Sequence, residues 1–446
     1  MISEKMQSKG GAMIGSQVDY DCIVMGAGPA GGTAAALIAQ AGHRTLLVER
    51  EKMPRFHVGE SLMPEVYWTL DRLGVLEEVR SKGKFTQKNG VQFVTDKGKE
   101  SQPFYFQDHD SRESSLTWHV ERAEFDMILF ENARRKGADC VDQTRVTSIK
   151  FNEEGPHEVE VLDAAGQQRK IRAKVVVDAT GQQSLIASKL QIKEMSPTLK
   201  HAAIWGYFEN AERNDMGGDK PEVTCILHTR DKKAWYWYIP LSNGAVSVGL
   251  VSKNDYLLKG RGTPKETFFE EIENCEGVKR RMKKARLQGD TVHVAKEFSY
   301  TTRRHAGDGW VLTGDAYSFI DPVYSSGVFL ALKSGELAAD AINEGFQKGD
   351  LSEKQLGSWT EDYESGVSLF RKLVEAFYTD EFSFGEFMKQ YPHYKSNLTD
   401  LLIGRVYGKE GPGKIFDDLD PWLQHSRNGT LEEYTRTLPA PMMKSM

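Results

Sequence analysis

The chain has 446 residues and a formal charge of −6, from 58 Lys and Arg against 64 Asp and Glu mixed along its length. That length exceeds what one hydrophobic core fills, so about two packed modules with an appendage are expected, and the even charge mixing argues against nucleic acid and for a small, diffusible substrate. Cys22, Cys140, Cys225 and Cys275 are scattered without a CxxC pair, and no apolar run approaches a membrane span, which points away from disulfide frameworks, zinc sites and membrane insertion.

Residues 1–18 are polar and rich in Gly, Ser and Met, without the apolar stretch of a signal peptide, and are expected to be a disordered leader on a soluble, cytoplasmic protein. The first ordered unit is then a βαβ arrangement. An apolar strand, Asp21 to Met25, runs into Gly26-Ala-Gly28-Pro-Ala30-Gly31, an Ala-rich helix continues to about Ala41, and a second strand covers Thr45 to Val48. The three glycines act differently. Gly26 makes the tight turn, Gly28 lets backbone approach a pyrophosphate, and Gly31 permits close helix-to-strand contact, with the helix N-terminus facing the negative charge. Glu49 ends the second strand, where a carboxylate accepts hydrogen bonds from ribose hydroxyls. Gly26, Gly28, Ala30, Gly31, Glu49 and Arg50 are therefore candidate dinucleotide-binding residues.

Next comes Pro54-Arg-Phe-His57-Val-Gly59-Glu60-Ser61-Leu-Met-Pro64. Gly59 allows close backbone approach to a cofactor, and Glu60, Ser61 and Pro64 are expected to cap and start a helix carrying Trp68, Leu70 and Leu73. His57 has no partner at helical or hairpin spacing, so a structural or cofactor-edge role is favoured over catalysis. The segment Phe85-Thr-Gln-Lys88-Asn-Gly90-Val-Gln-Phe93 leads into a strand, with Lys82 and Lys84 in the more polar stretch before it. Arg122 opens a helix whose Phe125, Ile128, Leu129 and Ala133 follow the i, i+3, i+4 rule. Val175 to Gly181 reads as a buried strand ending at a glycine turn.

Strands from about Lys200 to Val251 are expected to roof a substrate pocket, with Phe93, Phe104, Phe106, Trp118, Trp205 and Tyr207 as possible lining. Among them Trp235-Tyr-Trp237-Tyr-Ile239-Pro240 alternates with period two, and Asn243-Gly244 is read as a φ > 0 pair closing a hairpin. Trp310 to Thr313 is a strand that stops at Gly314-Asp315, placing Asp315 at a carboxyl end where open α/β sheets bind ligands, and a long helix follows from about Ser325 to Ile342. From about Leu351 the chain reads as helical and aromatic-rich, with Phe370, Phe377, Tyr378, Phe382, Phe384 and Phe387, a module that would cover the entrance. Residues 427–446 read as loosely ordered. The expected organisation is α/β: a discontinuous Rossmann-like cofactor domain over 19–190 and 290–350, to which 85–118 adds pocket residues, a β-sheet substrate domain over 191–289, and a helical C-terminal module over 351–446.

Taken in order, the βαβ turn, the Arg122 helix, the Val175 strand and the Gly314-Asp315 strand end resemble the FAD domain of class A flavin monooxygenases. That resemblance implies FAD contacts at Arg122 and Asp315. The Pro54–Pro64 segment is similar to flavin-dependent halogenases of the phenol and pyrrole type, whereas geranylgeranyl reductases typically carry Cys-Gly-Gly there. Phe319, Pro322, Ser325 and Gly327 match the F-x-x-P-x-x-S-x-G signature of those halogenases, and Trp235, Trp237, Ile239 and Pro240 match W-x-W-x-I-P. Ser326 and Gly327, at a helix start with unpaired N–H groups, suit a halide ion beside the flavin, and Gly327 a contact to the cofactor itself.

By the same resemblance Lys88 is the lysine essential to catalysis. The implied chemistry is FADH2- and O2-dependent chlorination or bromination of an electron-rich aromatic, free or tethered to a carrier protein, through a flavin C4a-hydroperoxide and hypohalous acid guided by Lys88. Asp321 and His119 are candidate substrate bases, each with a structural alternative. No second GxGxxG is present, so a partner flavin reductase would supply reduced flavin. The competing readings are a flavin-dependent hydroxylase or geranylgeranyl-type reductase and, in a different class, a non-catalytic FAD-binding protein.

Overall fold

A computed structural model describes residues 18–81, 83–153, 155–213, 221–379, 382–407 and 411–438. Almost all of the expected leader, Lys82 and residues 439–446 lie outside them. The first sheet is the Rossmann-like one. Its parallel strands run in the order Trp310–Leu312, Gln168–Asp178, Tyr20–Met25, Thr45–Val48 and Asp139–Val141. Their central stretches, residues 22–25, 46–48, 175–177 and 310–312, read as unbroken apolar runs because helices cover the sheet there, leaving no solvent face to demand alternation. The helix Pro29–Gln40 packs against Arg122–Arg135 and against the long helix Ser326–Lys348, which runs six residues past its expected end. Contact between the first and last of these is close enough that a Cβ at Gly335 would overlap the carbonyl of Ala30. The strand Gln168–Asp178 continues outward and pairs antiparallel with His157–Leu162, which pairs in turn with Arg145–Lys150.

The second sheet has the order Arg286–Leu287, His201–Glu209, Val246–Lys253, Ala234–Pro240, Thr224–His228, Gly90–Val94 and Phe104–Tyr105, with His293–Lys296 also paired to His201–Glu209. Period-two alternation sorts its side chains onto two faces. Tyr236, Tyr238, Ile204, Phe208, Val248 and Leu250 face outward into a core shared with Phe268, Ile272 and Val278 of the helices Pro264–Glu273 and Glu276–Arg281. Trp205, Ile226, Trp235, Trp237 and Ile239 face inward and join the main core. Between Pro240 and Val246 the turn differs from the expected tight hairpin: only Gly244 has positive φ, and Asn243 instead accepts from Ala245 N through its side chain at 2.9 Å.

The C-terminal part is helical, with Thr360–Phe377, Phe384–Gln390, Lys395–Ile403, Phe416–Arg427 and Leu431–Thr437. The last helix corrects the reading of this end as loosely ordered over Leu431–Thr437, while 439–446 lie outside the described residues. Its register is held where Tyr434 stacks on His425, ring centroids 4.2 Å apart. Among the described residues no helix is long and apolar enough to cross a membrane.

Candidate functional site

A cavity of about 1790 Å³, counting its open mouth, lies between the carboxyl ends of the first sheet and the inner face of the second. One end is the dinucleotide turn. Gly26 has φ +98°, and a Cβ there would press on the Ala179 carbonyl, while one at Gly31 would overlap the Gly26 carbonyl. Gly31 thus serves packing and does not line the cavity, whereas Gly26, Gly28 and Ala30 do. A Cβ on Gly28 would meet only Arg55, at 3.6 Å, so its backbone is open to a ligand and the helix start behind it is aimed at the cavity. Glu49 accepts from Ala27 N at 2.9 Å and from Glu51 N at 3.0 Å, which orients its carboxylate across the end of the strand. Arg50 lines the cavity and pairs with Glu51.

Sequence reasoning missed the charge network behind this end. Arg55 Nη1 donates to Asp126 at 2.8 Å, with its Nε 3.6 Å from Glu49. Asp126 also receives Arg122 through two bonds, Nε at 2.8 Å and Nη2 at 2.9 Å, while Arg122 Nη1 donates to the Val58 carbonyl at 2.8 Å. Burial alone would raise the Asp126 pKa, but the two guanidiniums outweigh it and hold the carboxyl below its usual range. The i, i+4 spacing of Arg122 and Asp126 was the available signal; Arg55, in a loop, carried none.

The halogenase-like segment is built differently from its expected capping role. Glu60 and Ser61 do not cap the helix Val66–Leu73. Glu60 is buried and accepts from Tyr207 Oη at 2.6 Å, its carboxyl pushed up by burial. Ser61 faces the cavity instead. His57 sits exposed at the mouth with Nδ1 donating to the Val58 carbonyl at 2.7 Å. Asp315 also lines the cavity, and burial pushes its pKa up to about 6 against the opposing charges of Arg122 and Lys193.

At the other end stand the two signatures. Trp235, Trp237, Ile239, Phe319, Pro322, Ser325 and Gly327 all line the cavity; Pro240 and Ser326 do not. Ser325 sits in the left-handed region at φ 60°, turning the chain so that the long helix opens at Ser326 without a side-chain cap and leaves its first-turn amides free of intrahelical partners. Trp235 Nε1 donates to Tyr378 Oη at 2.9 Å and Trp237 Nε1 to Ser247 Oγ at 3.1 Å, so both indoles offer the cavity only apolar surface. Of the proposed aromatic lining only Trp205 reaches this cavity; Phe93, Phe104, Phe106, Trp118 and Tyr207 stand off it, and Ala203, Thr224, Ile226, Ala295 and Phe298 take their place.

Lys88 ends the short strand Thr86–Lys88, paired with Thr117–His119, and is 2 % exposed. It is not on the cavity wall among the described residues. Its Nζ donates to the Leu62 carbonyl at 2.8 Å and lies 5.6 Å from the centre of the Phe106 ring, and burial lowers its pKa to about 7. His119, two residues from the strand partner of Lys88, is held neutral by burial and by the lysine charge. Neither candidate base touches the cavity: His119 bonds to Thr224 and Pro240, and Asp321 accepts from Val323 N at 3.0 Å and from Tyr378 Oη at 3.1 Å. Burial nonetheless pushes Asp321 up to about 7.

Residues 19–347 match the family described as FAD binding domain. Over 424 residues the chain is 31% identical to a 1H-pyrrole-2-carbonyl-[peptidyl-carrier protein] chlorinase of Pseudomonas fluorescens, covering 91% of this chain and 92% of the relative. Among solved structures, the flavin-dependent brominase Bmp2 superposes with a TM-score of 0.79 at 28% identity, covering 94% of this chain and 99% of that one. A flavoprotein/dehydrogenase from Cytophaga hutchinsonii gives a TM-score of 0.79 at 29% identity, covering 92% and 99%.

Proposed function

The chain belongs to the flavin-dependent halogenases, with FAD as cofactor and halide as co-substrate, and on that footing we propose that it chlorinates or brominates an electron-rich aromatic ring of the pyrrole or phenol type. The observation that carries this reading is convergence. The dinucleotide turn, the Phe319–Gly327 segment and the Trp235–Ile239 strand come from distant parts of the sequence and line one cavity. The relative's substrate is a pyrrole-2-carbonyl group on a peptidyl carrier protein, which supports a carrier-bound pyrrole here; a free phenol is the other ring that such walls accommodate.

The residues present suit FAD. Gly26, Gly28 and the helix start behind them would receive the pyrophosphate, Glu49 the adenosine ribose, and Asp315 the ribityl region, with Arg122 steadying the Val58–Gly59 backbone beside it. When bound and reduced, FAD supplies the activation of O2 that turns halide into an electrophilic halogen. Halide would sit against the free amides at Ser326 and Gly327. Trp235, Trp237 and Ile239 exclude water and hold the ring apart from the cofactor end.

Lys88, behind Leu62, is the group we assign to guide the halogen: with a pKa near neutrality it can donate as ammonium or present a neutral amine. To reach the cavity from its buried position it must first exchange its bond to the Leu62 carbonyl. A separate flavin reductase, in the cytoplasm, would provide reduced flavin, since the sequence has one dinucleotide turn.

The test is mass spectrometry of pyrrole and phenol substrates, free and carrier-bound, incubated with the protein, FAD, a flavin reductase, NADH, O2 and bromide, beside Lys88→Ala. A bromine isotope doublet present with the native protein and absent with Lys88→Ala is the expected result. Oxygenated or reduced product that ignores bromide would replace this reading with a hydroxylase or a reductase.

A further inference from the structure

Three buried polar groups, two on the cavity wall and one behind it, have no part in the chemistry assigned so far. Ser61 comes from the loop before the helix Val66–Leu73, Thr224 from the second sheet, and His119 from the ribbon that carries Lys88. They form a chain: Ser61 Oγ lies 2.9 Å from Thr224 Oγ1, Thr224 Oγ1 lies 2.8 Å from His119 Nε2, and His119 Nδ1 lies 3.1 Å from the Pro240 carbonyl. Ser61 and Thr224 line the cavity and His119 is fully buried behind them.

The direction of every bond in this chain follows from its end. A carbonyl only accepts, so His119 Nδ1 carries a proton and donates to Pro240. Burial and the neighbouring Lys88 charge keep the imidazole neutral, so Nε2 has only a lone pair. Thr224 must therefore donate its single hydroxyl proton to His119. Its oxygen then accepts from Ser61, whose single proton is used in turn. Both hydroxyl protons point along the chain, and lone pairs are all that remain for a ligand. The indole N–H groups of Trp235 and Trp237 on the same wall are likewise committed elsewhere.

Resting on the aromatic-halogenation reading, we propose that Ser61 and Thr224 form an acceptor pole that selects and orients the substrate through a donor on its ring, a pyrrole N–H or a phenol O–H. A ring presenting an acceptor or a methyl group there leaves the hydroxyl lone pairs unpaired in a buried site. The donor's position on the ring would also set which carbon faces the halogen source.

The experiment is a ligand-observed NMR titration of the FAD-loaded protein with two matched pairs, phenol against anisole and pyrrole against N-methylpyrrole. Methylation leaves the rings electron-rich, so the comparison isolates the hydrogen bond. The native protein is expected to bind the donor member at least about tenfold more tightly. Thr224→Val should reduce that preference to about twofold or less, and Thr224→Ser, which keeps the hydroxyl, should restore it. Equal binding within both pairs, or no binding of any of the four, overturns the proposal, whatever the variants do. The halogenation reading is scored separately by bromide-dependent product: equal binding with brominated product removes the acceptor pole alone, and a donor preference without brominated product supports the pole while refuting the reaction.

Discussion

Lys88 Nζ donates to the main-chain carbonyl of Leu62, and among the described residues no carboxylate lies within ion-pair distance of it. A buried ammonium with one neutral acceptor is costly to the fold. Its pKa falls from 10.5 to about 7, so between those values the unfolded chain binds a proton that the native state does not, and stability rises with pH across that window. Lys88→Met should therefore raise stability by on the order of 2 kcal/mol at pH 7, the gain shrinking toward pH 10, while abolishing halogenation. Thermal denaturation of both proteins across that range checks it; a less stable variant at pH 7 would contradict this account.

Asp126 holds two arginines that face the dinucleotide end. Asp126→Asn keeps the shape and removes the charge, leaving Arg55 with Glu49 and Arg122 with the Val58 carbonyl. FAD affinity, followed by flavin fluorescence, should weaken about tenfold or more. An unchanged affinity would show that the network serves stability alone.

Trp237 lies over Gly249, its partner across the second sheet, and a Cβ there would overlap the indole. Gly249→Ala should cost about 1–3 kcal/mol from overpacking and push Trp237 into the cavity. The readout is a drop in kcat/KM larger for bulky rings than for pyrrole itself. If the two rings lose activity equally, the indole has not moved into the substrate's space.

Tyr378→Phe would strand Trp235 Nε1 and take one donor from Asp321. A loss of about 1–3 kcal/mol is expected from the unpaired indole N–H. Because Asp321 titrates at about 7 against an ordinary 3.8, the native state holds an extra proton between those values and stability falls as pH rises through them. Removing the phenol, which favours the carboxylate, should lift the upper end of that window. Stability curves from pH 4 to 8 measure it.

That Gly26, Gly28 and Glu49 meet at one end of the cavity was legible because they belong to one βαβ unit, where strand, turn and helix constrain one another. The strand Ala234–Pro240 was legible through alternation, which also sorts its Trp and Tyr residues onto opposite faces. The Ser61–Thr224–His119 chain was not, because three segments far apart in sequence supply one group each, and a lone Thr in a strand has no pattern to mark it. Tyr207 and Phe106 were chosen as lining by composition alone. Which side of a wall such a side chain occupies depends on strand register and on the elements packed behind it, neither of which composition carries.

Tyr378 accepts from Trp235, donates to Asp321 and stacks on His201 with ring centroids 4.0 Å apart. It follows the helix Thr360–Phe377, while its partners sit in the Trp-bearing strand, in the Phe319–Gly327 segment and at the start of the second-sheet strand His201–Glu209. The helical module is therefore no interchangeable cassette. A chimera that grafts the C-terminal helices of another family member onto this chain must carry Trp235, Asp321 and Tyr378 as an inherited set, or rebuild the wall between them.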